Sequence, residues 1–299
     1  SDLIHIEYFT APITQNPEHQ IYTDVGVFTS SCGLTYYSGG LFPAPFDSVS
    51  FVAEPVSNIV HADLLRDKGA SFTASRLYEN KEFLASTDSW FRPVNMYVGP
   101  DGALYILDYY RQIIEHPEWM EDEVVKSGAL YNGMDKGRIY RITPEGTSSA
   151  SWTKGFKLGD ASSEQLVEKL ADPNGWYRRN AQRLLIDRQD KMVVPQLERM
   201  AENPGSPLGR LHALWTLEGM NTLSASMIKK ALKDPVAGIR ENVVRLSELY
   251  LAGEQDMLSA LLVMKDDPDA KVRFQLLCTL GFSDAPQSAN IIQHLLFKD

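Results

Sequence analysis

At 299 residues, 43% apolar and 23% charged, the chain has the composition of a soluble globular protein with room for two domains, each able to bury its own core. Its formal net charge of −10 excludes a broad phosphate-binding surface, because nucleic-acid binders gather Lys and Arg into a positive stripe. Cys32 and Cys278 are too few and too far apart for a disulfide framework or a cysteine metal cage, and no apolar run approaches the roughly 20 residues that span a bilayer.

In chain order, the opening SDLIHIEYFT lacks the basic-then-apolar layout of a signal peptide. From about Tyr22 to Ile142 the chain reads as short strands broken by Gly, Pro, Asn and Asp, with β-rich runs at 48–55, 94–100, 103–110 and 137–143. Between the second and third runs stands GPDG, where Asp101-Gly102 is expected to supply the positive φ of a tight antiparallel hairpin. Strand, turn, strand ending in Asp108, long loop, then a strand at RIYRI is the order of a β-propeller blade.

After the Ser-rich stretch 143–152 the period becomes helical and a repeat emerges. Arg178, Arg210, Arg240 and Arg273 lie 32, 30 and 33 residues apart, and six residues before each stand Asp172, Pro204, Asp234 and Asp267. Three of these four are followed by proline, which predicts an Asp cap with Pro in the first turn of a helix. Ala181, Ala213, Val243 and Leu276 recur at matching offsets, as in stacked helix pairs of the HEAT type. The expected fold is therefore β plus α: a partial β-propeller over 1–146 and an α-helical HEAT-repeat solenoid over 147–299.

The segments 28–43, 51–61, 83–119 and 135–146 resemble the closing part of a propeller in a bacterial family of membrane-bound, sorbosone-dehydrogenase-like proteins with haem-binding members. The resemblance implies late blades followed by HEAT repeats, an extracytoplasmic place in the periplasm or cell envelope, and a sugar or alcohol dehydrogenase. It also implies pyrroloquinoline quinone with calcium in the complete propeller. A c-type haem domain completes many members of that family. This chain lacks CxxCH and has room for only two to three blades, so it is expected to be a portion of a longer parent.

The connection 109–136 exceeds ordinary strand-to-strand loops and in a propeller emerges on the face where ligands bind. Asp108, Tyr110, Arg111, Glu115 and His116 then lie at the mouth, with His116 as general base, Asp108 orienting it and Arg111 as a fixed multi-donor for a sugar or polyol. The alternative reading has Asp108 capping backbone amides, Arg111 paired with Glu115 at helical spacing and His116-Pro117 opening a turn. Glu54, Asn58 and His61 offer oxygen and nitrogen ligands for calcium or a transition metal; alternatively Asn58 makes a turn and a backbone carbonyl satisfies His61.

Arg92, held extended by Pro93, lines a pocket wall with Trp90 and Phe91 or packs between sheets. Arg138 and Arg141 fall on opposite faces of one strand, and Cys32 is a nucleophile only in a positive setting. GxSxG, HExxH, P-loop and GxGxxG motifs do not occur, which removes the commonest hydrolase, zincin, kinase-like and nicotinamide readings. In the helical half His212, His294, Trp176, Tyr177 and Trp215 are packing or surface residues, and the repeat surface offers a docking face for a protein partner or haem domain. Without those motifs, a binding or scaffold module stands beside the enzyme reading.

Overall fold

The computed structural model describes residues 28, 30–147, 157–253 and 255–298. The N-terminal decapeptide and residues 148–152 of the Ser-rich stretch lie outside the described residues. The described chain divides into two compact units, the first within 1–66, 74–155 and 173–176 and the second within 67–73, 156–172 and 177–299. Antiparallel sheets and helices are both present, so the coarse β-plus-α reading holds.

The first unit is built on two sheets. One runs β1 (Cys32–Tyr36), β2 (Val49–Glu54), β3 (Ile59–Lys68), β4 (Ser71–Arg76), with β5 (Leu84–Ala85) also pairing β3. The other is the antiparallel trio β6 (Pro93–Val98), β7 (Leu104–Asp108) and β8 (Arg138–Ile142). Alternation on β7 turns Leu104, Ile106 and Asp108 inward, so the same period that buries two aliphatics also buries an acid. Phe51, Phe83, Met96 and Ile106 share one core, where each fully buried side chain contributes about 1.5–3 kcal/mol.

The β6–β7 hairpin closes as expected, with Gly99 N–H donating to Ala103 O at 2.9 Å and Gly102 N–H to Gly99 O at 3.0 Å. Only Gly102 takes positive φ (+78°); a Cβ there would lie 2.7 Å from Leu41 Cβ. Asp101 contributes its carboxylate instead, accepting from Ala103 N at 3.2 Å, Tyr105 Oη at 3.1 Å and Arg141 Nε at 2.6 Å. The buried Tyr37 hydroxyl locks this turn: it donates to Gly102 O at 2.7 Å and accepts from Leu41 N and Phe42 N at 3.0 and 2.9 Å.

The β7–β8 connection carries helical structure of its own, with 3₁₀ turns at Pro117–Trp119 and Ala129–Tyr131 around α1 (Asp122–Ser127). Acids in the first turn of α1, Lys126 in its last and Gly128 at φ +76° beyond it are the charge order and stop signal of a short helix.

The second unit is helical: α2 (Ser163–Lys169), α3 (Gly175–Arg188), α4 (Val194–Ala201), α5 (Pro207–Gly219), α6 (Ala225–Ala231), α7 (Ala237–Leu246), α8 (Gln255–Leu262), α9 (Ala270–Leu280) and α10 (Pro286–Lys298). The four positions Ala181, Ala213, Val243 and Leu276 are fully buried in a common core. The aspartate of the repeat signature is not the helix cap: Val236 and Asp269 are the N-cap residues of α7 and α9. Asp234 instead accepts both Arg210 Nε (2.9 Å) and Nη2 (3.0 Å), and Asp267 accepts Arg240 Nε (2.7 Å) and Nη2 (2.8 Å).

Each arginine also donates Nη1 to the carbonyl of its own repeat's residue six positions back, as Arg240 does to Asp234 O at 2.9 Å. The spacing of six thus encodes an Arg–Asp ladder that joins consecutive repeats. Burial pushes the Asp267 carboxyl up, but Arg240 outweighs it and holds the group below its usual range. Asp267→Asn keeps the shape and removes the charge and one acceptor; it is expected to cost about 2 kcal/mol in urea unfolding followed by helical circular dichroism. A loss within experimental error would show that the ladder does not hold the repeats.

His212 sits on α5 with Nδ1 2.6 Å from Gln182 Oε1. Burial, helped by Arg178 and Arg179, pulls its pKa down to about 4, so it is neutral. Trp215 Nε1 donates to Asn242 Oδ1 at 3.0 Å. No helix of the described residues is long and apolar enough to cross a membrane.

Candidate functional site

Five of the nine residues singled out for chemistry, Asn58, Arg92, Asp108, Tyr110 and Arg111, meet at one end of β6 and β7. Arg92 is 1% exposed. Its Nε donates to Arg111 O at 3.0 Å, Nη1 to Pro55 O at 2.9 Å and Nη2 to Gln112 O at 2.7 Å. One guanidinium therefore joins the β2–β3 turn to the first residues of the long connection. Burial pulls its pKa down to about 10, against the opposing pull of Asp108 and Asp88, and it stays charged at neutral pH. The pocket-wall role is replaced by an internal brace.

The Phe91–Arg92 peptide is gripped from both ends. Asn58 Nδ2 donates to Phe91 O at 2.5 Å, and Arg92 N–H donates to Asp108 Oδ1 at 2.8 Å. The same Oδ1 accepts Tyr110 N–H at 2.8 Å, which fixes Tyr110 at φ +50°. Asp108 is thus the amide cap of the alternative reading. Asn58, at φ +59°, occupies the turn expected of it. Asn58 Oδ1 and Asp108 Oδ2 are buried with no hydrogen-bond partner among the described residues. Burial raises the Asp108 pKa, while the Arg92 and Tyr110 amides work the other way.

Above this knot lies an aromatic rim. The Arg111 guanidinium stacks 4.2 Å from the Tyr109 ring and that of Arg138 4.0 Å from the Tyr110 ring. Trp90 packs beside Tyr110 with centroids 5.9 Å apart, and Tyr110 Oη donates to Asp88 Oδ2 at 3.1 Å. Arg111 Nη1 donates to Gly133 O at 2.8 Å, Tyr110 O at 3.0 Å and Tyr109 O at 3.2 Å. Tyr109, Trp119 and Tyr131 are 47, 64 and 62% exposed.

The catalytic pairing of Asp108 with His116 is not made. His116 is exposed, and its Nδ1 accepts Glu118 N–H at 3.3 Å to open the 3₁₀ turn at Pro117. Its cue was the Pro that follows it, since X-Pro at such a turn favours the extended backbone seen at His116. Arg111 and Glu115 form no ion pair; the carbonyls of 109, 110 and 133 hold Arg111 instead.

Glu54, Asn58 and His61 do not converge as metal ligands, and no group of three His, Cys, Asp or Glu among the described residues could hold an ion. The buried Glu54 carboxylate accepts Ser30 N–H at 3.1 and 3.2 Å and Ser31 Oγ at 3.2 Å, fastening the segment before β1. With its oxygens taken up by those donors, Glu54 does not form a calcium site with Asn58 and His61. His61 faces carboxylates rather than a backbone carbonyl, with Nδ1 2.5 Å from Glu82 Oε2 and Nε2 3.1 Å from Asp63 Oδ1. Glu82 also pairs with Arg76; it stands 21 residues from His61, so no local spacing announced it. Burial, with Glu54 adding to it, pushes the Cys32 thiol up, the opposite of an activated nucleophile.

Chemically, this end of the unit offers stacking faces, fixed guanidinium donors and a shielded carboxylate, without an acid–base pair. No curated protein and no solved structure matches the chain. Residues 6–146 match a family model described as Domain of unknown function (DUF7133).

Proposed function

We propose that this chain is the glycan-binding and scaffold part of an extracytoplasmic sugar-dehydrogenase-like protein. In this reading the three-stranded sheet is a propeller blade whose β7–β8 connection meets a sugar or polyol. The helical unit is a HEAT-type solenoid that docks a protein partner, such as a c-type haem domain. One observation carries it: Asp108 Oδ1 and His116 Nδ1 are engaged in backbone hydrogen bonds, while Tyr109, Trp119 and Tyr131 of the same connection stand exposed and Tyr109 lies against the fixed Arg111 guanidinium. Sugar rings present C–H faces to aromatic rings and hydroxyls to such donors.

Titration with oligosaccharides is expected to give binding that Tyr109→Ala weakens about tenfold with the fold intact, a loss of about 1.4 kcal/mol. Binding to none of a broad panel would remove the reading.

A second reading places catalysis on this chain, as a pyrroloquinoline-quinone-linked sugar or alcohol dehydrogenase. It is favoured by Asp108, a buried carboxylate of raised pKa with one oxygen unpartnered, the state of a group poised to receive a hydroxyl proton. Dye-linked oxidation by the full-length protein with quinone and calcium separates the two: turnover abolished by Asp108→Asn in a folded protein favours the second.

A further inference from the structure

Two consecutive tyrosines at the end of β7 each carry a guanidinium on one face, and the molecule's net charge of −10 makes this pair of cations stand out. We propose that the rim formed by Arg111 and Arg138 binds the carboxylate of an acidic glycan, a uronic-acid residue. The inference rests on the glycan-binding reading above and names its substrate class.

Both guanidinium groups are held before any ligand arrives. Arg111 spends only Nη1 on its three carbonyls, leaving Nε and Nη2 outside those bonds. Arg138, on the exposed first position of β8, is steadied by the Tyr140 hydroxyl at 3.1 Å and by its stack on Tyr110. A stacked guanidinium loses little freedom when it binds, and its planar donors match a carboxylate edge.

Tyr110, at φ +50°, is kept in the left-handed region by the bond from its amide to Asp108 Oδ1. The Tyr110 ring that carries Arg138 is therefore set in place by the buried knot. Asp88 on the Tyr110 hydroxyl offsets one of the two positive charges. The balance suits a single carboxylate on a sugar ring more than the dense charge of a nucleic acid.

The test is affinity electrophoresis and calorimetry of the whole chain with polygalacturonate, with its methyl ester and with single-stranded DNA, at low and high salt. The acid polymer is expected to bind at least about tenfold more tightly than the ester, with the difference shrinking as salt rises. Arg138→Gln is expected to remove that preference, bringing the affinity for the acid polymer down to that for the ester, in a protein whose circular dichroism is unaltered. Lys136→Gln, an exposed neighbouring cation outside the stacks, is expected to change neither affinity.

Equal binding of acid and ester overturns the carboxylate site and leaves the glycan reading standing. Binding of neither polymer overturns the carboxylate site, and the glycan reading then rests on the broad oligosaccharide panel. Tighter binding of DNA than of polygalacturonate, or an equal effect of Lys136→Gln, would assign the rim to general charge attraction and overturn the proposal.

Discussion

Replacing Arg92 with methionine is expected to lower the stability of the first unit by about 4 kcal/mol, although methionine fills much of the same volume. The size follows from what is left behind. Pro55 O, Arg111 O and Gln112 O each lose a donor in a site where the side chain is 1% exposed, so water cannot replace it without opening the turn. Asp108 loses the buried charge of Arg92, with which it interacts, while still bound to the amides of residues 92 and 110. Arg92→Lys should cost nearly as much, since one ammonium cannot reach three carbonyls in a planar fork.

The site of the damage is also specific. Arg111 N–H bonds Trp90 O at 3.0 Å and Gln112 N–H bonds Asn132 O at 3.3 Å, so hydrogen exchange should quicken at those amides before it does in β6 and β7. Urea unfolding and exchange of the full chain check both statements. A change below about 1 kcal/mol with unaltered exchange would mean that the brace is dispensable.

Much of this unit was legible because its signals are local. The apolar alternation of LYILD, the Gly-Pro-Asp-Gly turn and the Asp108 cap involve residues within a few positions of one another, and each stands as expected or nearly so. Arg92 was legible only as a residue placed extended by Pro93, because its acceptors lie at positions 55, 111 and 112 and meet only when the turn and the connection fold together. The repeat shows the same limit. Its period is written in the chain, but the purpose of the aspartate at −6 is held by an arginine of the preceding repeat. For His116 the residue type suggested chemistry that its surroundings do not supply, since a lone exposed imidazole acquires a role only from neighbours that spacing does not specify.

The largest pH effect is expected at His61. The ring, 6% exposed, has Glu82 from the β4–β5 connection on Nδ1 and Asp63 of β3 on Nε2, with Arg76 of β4 on the far oxygen of Glu82 and Phe28 5.0 Å away. Burial by itself lowers the His61 pKa, but Glu82 and Asp63 together outweigh it and leave the value above 6.5. Burial likewise raises Glu82, and His61 with Arg76 outweighs it, leaving that carboxyl below 4.5. The histidine's contribution is complete below the unfolded value near 6.5 and is lost as pH rises through the higher folded value. That of Glu82 is complete above 4.5 and is lost as pH falls through its lower folded value.

The cluster therefore contributes most between the two unfolded values, in mildly acid solution. His61→Ala leaves Glu82 and Asp63 facing an emptied site beside Phe28, for an expected loss of about 3 kcal/mol at pH 6, shrinking as the pH is raised. Unfolding midpoints of the two proteins measured across that range should converge toward alkaline pH. If the gap between them were independent of pH, the imidazole would be held neutral and the cluster would be a set of ordinary hydrogen bonds.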